Sequence, residues 1–273
     1  MLNVTILELF EINKALKQKV PIIINFPHSG TFIPYDIKDQ YNQKAIEFID
    51  DTDWFLPEIY DFAAELGITT MKATHSRWVI DLNRDPESVP LYNDGRLITG
   101  LCSTTNFIGQ SIYNQNCEPD QIEIERRKAK YFWPYYQQLQ NELDELKSQF
   151  GKVLLYDSHS IRSIVPTIQK ERFPDMILGT ADGKSANEKL IETTLKTLGN
   201  STYELTHNHP FKGGNITRTF GKPNQNQHAL QLERCKDLYM KNNETELDTE
   251  KAETMRQSLK LLFENLIETL NEI

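Results

Sequence analysis

Cysteine is scarce in this chain, basic residues are outnumbered, and no apolar run is long. Each shortage removes a class of protein. The 273 residues hold three cysteines, Cys102, Cys117 and Cys235, an odd number with no C-x-x-C pair. That argues against a disulfide framework or a Cys-rich zinc knuckle and points to reduced thiols in a cytoplasmic protein. Lys and Arg number 30 against 39 Asp and Glu, a formal charge of -9 with no basic stripe, so no nucleic-acid partner is expected. An acidic total still admits an anionic small-molecule substrate, because a local arginine cluster overrides the global sign. No stretch reaches the roughly 20 apolar residues of a membrane span. The first residues lack a basic region followed by an apolar one, and no membrane partner is expected. Internal repeats, low-complexity tracts and Gly/Ser linkers are missing as well, so 1–273 reads as a single domain.

What the chain does contain is 38% hydrophobic and 10% aromatic residues, the make-up of a soluble globular enzyme. Two apolar runs each end in a histidine: Ile22-Ile23-Ile24-Asn25-Phe26-Pro27-His28-Ser29-Gly30 and Val153-Leu154-Leu155-Tyr156-Asp157-Ser158-His159-Ser160. Short β-rich runs broken by Pro/Gly or Ser/Asp read as buried strands, here about 20–26 and 153–156. Spacing predicts a helix over 54–66 ended by Gly67, strands over 68–73 and 78–82, and a long helix over 119–150 that Pro134 can kink. Further strands are expected at 176–179, 215–220 and 228–233, with an amphipathic helix over 250–270. The segment 83–116, rich in Pro, Gly, Asn and Thr, is too long for a connector and reads as a binding loop or cover. Alternating strands and helices favour a three-layer α/β/α sandwich. Ligands of such sheets sit beyond the carboxyl ends of the strands, where both histidines fall.

His28 reads either as a turn histidine or as a metal ligand, and the second histidine strengthens the latter. In an extended strand Asp157 and His159 share a face, and a carboxylate beside a ligating imidazole fixes its tautomer. A catalytic zinc needs a third protein ligand. Asp53 is preferred and Asp51 second, although Asp before a helix also serves as a cap. Asp81, in an apolar stretch, needs a partner, and Arg77 and Arg84 are near in sequence. Those arginines read as solvated ion-pair partners or as an anion clamp, with Asn83 an added donor. Arg218 follows Gly213-Gly214 and offers a third guanidinium. Glu233 ends an alternating strand, where it either faces water or serves as a metallohydrolase's proton shuttle. His75, His207, His209 and His228 lack such support.

The ordered set Pro27-His28-Ser29-Gly30, Asp51-Thr52-Asp53-Trp54, Ser76-Arg77-Trp78-Val79-Ile80-Asp81-Leu82-Asn83-Arg84, Trp133-Pro134-Tyr135-Tyr136, Asp157-Ser158-His159-Ser160-Ile161-Arg162-Ser163, Phe211-Lys212-Gly213-Gly214-Asn215-Ile216-Thr217-Arg218 and Gln231-Leu232-Glu233 resembles the N-formylglutamate amidohydrolase family. The Asp-Leu-Asn-Arg string is similar to that of aspartoacylase, in the wider zinc-carboxypeptidase-like group. The resemblance implies a phosphorylase/hydrolase-like fold with a central mixed sheet. It also implies a zinc-dependent amidohydrolase that converts N-formyl-L-glutamate and water to formate and L-glutamate, the last step of one histidine-degradation route. By similarity His28, Asp53 and His159 would hold one Zn2+, Glu233 would move the proton and Arg77 would stabilise the oxyanion. Asn83 and Arg84 would clamp the α-carboxylate and Arg218 the side-chain carboxylate. Phe55, where relatives often have histidine, and Asn208-His209-Pro210, in place of Asn-Gly-Arg, depart from the family pattern. The alternatives are a zinc hydrolase of another N-acyl amino acid and a non-catalytic dicarboxylate-binding protein.

Overall fold

The computed structural model describes residues 8–15, 18–90 and 99–273. Its strands are β1 (Phe10–Asn13), β2 (Ile22–Phe26), β3 (Thr69–Ala73), β4 (Val153–Ile161), β5 (Met176–Gly179), β6 (Leu205–His207) and β7 (Gln227–Cys235). Among the described residues they form one sheet in the order β1-β3-β2-β4-β7-β5-β6. The centre is parallel, while β1 runs against β3 and β5 against β7. β2 and β4 are buried along their whole lengths, as expected for parallel strands covered on both faces.

Helices α1 (Tyr35–Lys38), α2 (Gln43–Glu47), α3 (Leu56–Ile59), α4 (Gln121–Arg127), α5 (Trp133–Phe150), α6 (Glu188–Gly199), α7 (Asn215–Phe220) and α8 (Thr249–Glu272) complete the layers. One core joins Ile22, Ile24, Leu154, Leu230 and Leu232 of the sheet to α3, α6 and α8. The other joins Ile23, Met71, Leu155 and Ala229 to α5 and α7. The expected α/β/α sandwich with a mixed sheet is therefore what forms. The three cysteines carry free thiols, and no helix among the described residues is long and apolar enough to cross a membrane.

The long helix spans 121–150 as α4, a π-turn at Lys128–Phe132 and α5. Pro134 has no N–H to give the turn before it, and the π-turn re-routes the ladder at that point. Three expectations are corrected. The helix over 54–66 shrinks to α3 and a 3-10 turn at Asp61–Ala64, with Phe55 in the left-handed region at φ 60°. Residues 78–82 are buried but coiled, with Val79 N donating to Ser76 O and Asp81 N to Leu101 O. Residues 215–220, rich in β-branched side chains, form helix α7 because Asn83 caps its start: Asn83 Oδ1 accepts from Ile216 N at 2.9 Å. β1, α1, α2, α6 and β6 are not among the elements the sequence pattern predicts. Of the long segment 83–116, residues 91–98 lie outside the described residues. The remainder forms turns without helix or strand.

Candidate metal and catalytic site

Strand order positions this site. From β2 the chain crosses to β3 on one side, and β4 then takes its place on the other, so the carboxyl ends of β2 and β4 flank a topological switch point. His28 lies two residues past β2, and His159 near the end of β4. Register sets Asn25 opposite Asp157 and Asp157 opposite Gln231, a polar row across three strands just below the site. Two residues further along, on the same face, His159 lies opposite Glu233.

The loop after β2 turns back beside β3, where Phe32 N donates to Thr74 O and Ser76 N to Phe32 O. Gly30 permits this close passage: a Cβ there would lie 2.4 Å from His75 O. His28 O accepts from Asp53 N at 2.9 Å, and Ser29 Oγ donates to Asp53 O at 3.0 Å. Two sequence-distant segments are thus stitched together main chain to main chain, which explains why 53–55 stay out of the helix.

His28 Nδ1, Asp53 Oδ2 and His159 Nδ1 face one another. The two nitrogens are 3.2 Å apart, and Asp53 Oδ2 lies 3.3 Å from His159 Nδ1 and 3.8 Å from His28 Nδ1. All three residues are buried, and among the described residues they are the one His/Cys/Asp/Glu cluster found that can hold a metal ion. Donors about 2.0–2.1 Å from a tetrahedral zinc stand about 3.3 Å from each other, close to these spacings. Asp53 Oδ2 is buried with no hydrogen-bond partner, an orphan that a cation would satisfy.

Each imidazole is backed by a carboxylate. His28 Nε2 lies 2.8 Å from Asp81 Oδ1, and His159 Nε2 lies 2.9 Å from Asp157 Oδ2. With Nε2 the donor, each Nδ1 lone pair points at the centre. Asp157 is held in turn by Asn25 Nδ2 (2.8 Å), whose Oδ1 accepts from Tyr135 OH (2.6 Å). Burial and then Arg77 lower the pKa of His28. Burial opposes charge on His159 as well, but Asp157 and Asp53 outweigh it and raise its pKa well above the usual range. Burial works against ionised Asp53, yet the nearness of His159 and the positive charge of both imidazoles hold its carboxyl low.

Arg77 and Asp81 form a buried pair, Nη2 to Oδ2 at 2.6 Å, and the guanidinium stacks 4.7 Å over the Phe107 ring. Asp81 thus bridges Arg77 and His28, and despite burial Arg77 holds its carboxyl well below the usual range. Glu233 is half-buried with Oε1 unpartnered. Burial pushes its carboxyl up to about 7.

The other expected residues are distributed as follows. Asp51 is not drawn to the centre: its oxygens accept from Trp78 Nε1 (2.8 Å) and Phe107 N (3.0 Å). Asn83 lies against the site, with Nδ2 3.0 Å from His159 Nε2 and 3.3 Å from Gln231 Oε1. Arg84 is half-buried and donates to Thr99 through Nε and Nη2. Arg218 is exposed on α7, with Nε donating to Gly213 O at 3.0 Å. Sequence reading missed Asn25, Tyr135, Gln231 and the bond from Asp81 to His28. The available signal was a polar residue at the same level in each of three apolar strands.

The family model for N-formylglutamate amidohydrolase matches residues 20–240. The chain belongs to the N-formylglutamate amidohydrolase family. It is 37% identical over 253 residues to an N-formylglutamate deformylase of Pseudomonas putida, covering 92% of each chain. It is also 37% identical over 260 residues to the N-formylglutamate deformylase of Pseudomonas aeruginosa, covering 94% of this chain and 96% of that one. The crystal structure of N-formylglutamate amidohydrolase from Ralstonia eutropha JMP134 has the same fold, with a TM-score of 0.81 at 24% identity over 96% of this chain and 98% of that one.

Proposed function

We propose that this family member is a zinc-dependent hydrolase that cleaves N-formyl-L-glutamate to formate and L-glutamate, the closing step of a histidine-degradation route. The observation that carries the reading is the convergence of two carboxylate-backed Nδ1 atoms and one orphaned Asp53 oxygen beside the unpartnered Glu233 oxygen. The similarity to two deformylases over nearly the whole chain supports the substrate.

His28, Asp53 and His159 would hold the ion. Bound there, zinc supplies Lewis acidity, lowering the pKa of a water and polarising the acyl oxygen. Glu233 takes the proton from the attacking water and later delivers it to the nitrogen of glutamate as the amide bond breaks. A carboxyl near 7 is matched to both transfers at neutral pH. Arg77, fixed by Asp81 and stacked on Phe107, stabilises the oxygen that gains charge in the tetrahedral stage, a contact worth about 3 kcal/mol. Asn83 and Arg84 receive the α-carboxylate and Arg218 the side-chain carboxylate. These groups let an acidic protein bind a dianion.

The test is metal analysis of the purified protein alongside turnover of N-formylglutamate, N-formylaspartate and N-acetylaspartate. One zinc per chain and a clear preference for N-formylglutamate are expected. Preference for another N-acyl amino acid overturns the substrate, and turnover that survives thorough chelation overturns the metal.

A further inference from the structure

The two oxygens of Asp53 stand in different surroundings. Oδ2 faces both imidazoles and has no hydrogen-bond partner, whereas Oδ1 accepts from Ser160 Oγ at 3.3 Å. Ser160 follows His159 on β4, so the alternation of the strand sends its side chain away from the imidazole. It is buried. The main chain of Asp53 is pinned by His28 O and Ser29 Oγ. Those bonds leave the carboxylate free to turn about its own side-chain torsions.

We propose that Ser160 is a positioning residue that confines Asp53 to donation through Oδ2 alone, leaving the cation a place for water. The proposal rests on the metal reading above. Carboxylates bind cations through one oxygen or two, and a catalytic zinc with three protein ligands works because its fourth position is open. An Asp53 released from Ser160 can offer Oδ1 as well and fill that position.

The test uses the cobalt(II)-loaded full chain, whose visible absorption reports coordination number. In Ser160→Ala, cobalt still binds, but the intense bands of the four-coordinate ion give way to the weaker bands of a five-coordinate one. With zinc, kcat falls about 10–100-fold, the usual range for residues behind a metal ligand. Ser160→Thr keeps a hydroxyl and restores both. A general packing defect does not change the number of ligands, so the absorption separates the two causes. Unchanged cobalt bands in Ser160→Ala overturn the role of Ser160 and leave the metal site standing. Wild-type bands that persist in His159→Ala overturn the metal site itself, and this inference with it.

Discussion

Burial pushes the Glu233 carboxyl up to about 7 against the pull of His159, while Asp53 adds to the rise. Two consequences follow at this residue. As a base it must be ionised, so kcat/KM falls as pH drops below neutrality, and a bound cation moves that acid limb lower. Because the folded value lies above the unfolded one, the group favours the fold at low pH and loses that contribution as pH rises toward 7. Glu233→Gln is therefore expected to stabilise the metal-free protein at pH 8 by up to about 3 kcal/mol, with little gain at pH 4. It should also lower kcat by about 10²–10⁴-fold with zinc retained. Urea unfolding at the two pH values and single-turnover kinetics check both; a variant less stable than wild type at pH 8 refutes the burial account. The carboxylates behind the imidazoles act differently. Asp157→Asn and Asp81→Asn each leave a His Nδ1 less firmly aimed, and about 10–100-fold weaker zinc binding is expected in competition with a chelator. Asp81→Asn also loosens Arg77, so it should cost more in kcat than Asp157→Asn does.

At the level of elements, the site depends on turns that approach other backbone closely. A methyl on Gly30 would meet His75 O at 2.4 Å and Thr74 C at 2.5 Å, both main chain and unable to swing aside. Gly30→Ala should then cost about 1–3 kcal/mol by overpacking and weaken metal binding, because His28 rides on the same turn. Denaturant melts and a zinc titration of the folded variant measure the two losses separately. At Gly214 a Cβ would instead meet a side chain, lying 2.4 Å from Asn83 Nδ2. Such local demands also explain which elements the sequence made legible. β2, β4, β5, β7 and α8 announce themselves because long apolar or amphipathic patterns decide them. The stretch 78–82 is apolar because Trp78, Val79, Ile80 and Leu82 are buried. Its coiled path comes from the pairing of Arg77 with Asp81, which periodicity does not encode. α7 is hidden for a related reason: its β-branched residues favour a strand, and the cap from Asn83 is supplied from more than 130 residues away. Pairing His28 with His159 was readable because both end apolar strands. Ser160, Asn25 and Gln231 were not, because their roles depend on register and on the far side of a strand.

Across the whole molecule, the cluster ties together three segments that the chain separates widely: the turn after β2, the loop before α3 and the end of β4. A cation bound by His28, Asp53 and His159 closes those loops only in the folded state, so metal and fold stabilise one another. At free zinc 100 times the dissociation constant the gain is about 2.7 kcal/mol, which for a chain of this size moves the melting temperature by about 5 °C. The size of that gain should depend on pH. Asp157 and Asp53, overcoming burial, hold the pKa of His159 well above the usual histidine range, so the metal-free cluster keeps a proton where the cation must sit. That proton favours the metal-free fold at low pH, and its contribution disappears as pH rises through the elevated pKa. Zinc has to displace it, and the displacement is harder at pH 6 than at pH 8. The zinc-induced rise in melting temperature should therefore shrink on acidification. Calorimetric titration in buffers of different ionisation enthalpy should show proton release on binding. In His159→Ala both effects should vanish, since ligand and displaced proton belong to the same ring. A rise that is equal at pH 6 and pH 8, or that persists in His159→Ala, would mean that the cation binds to other groups.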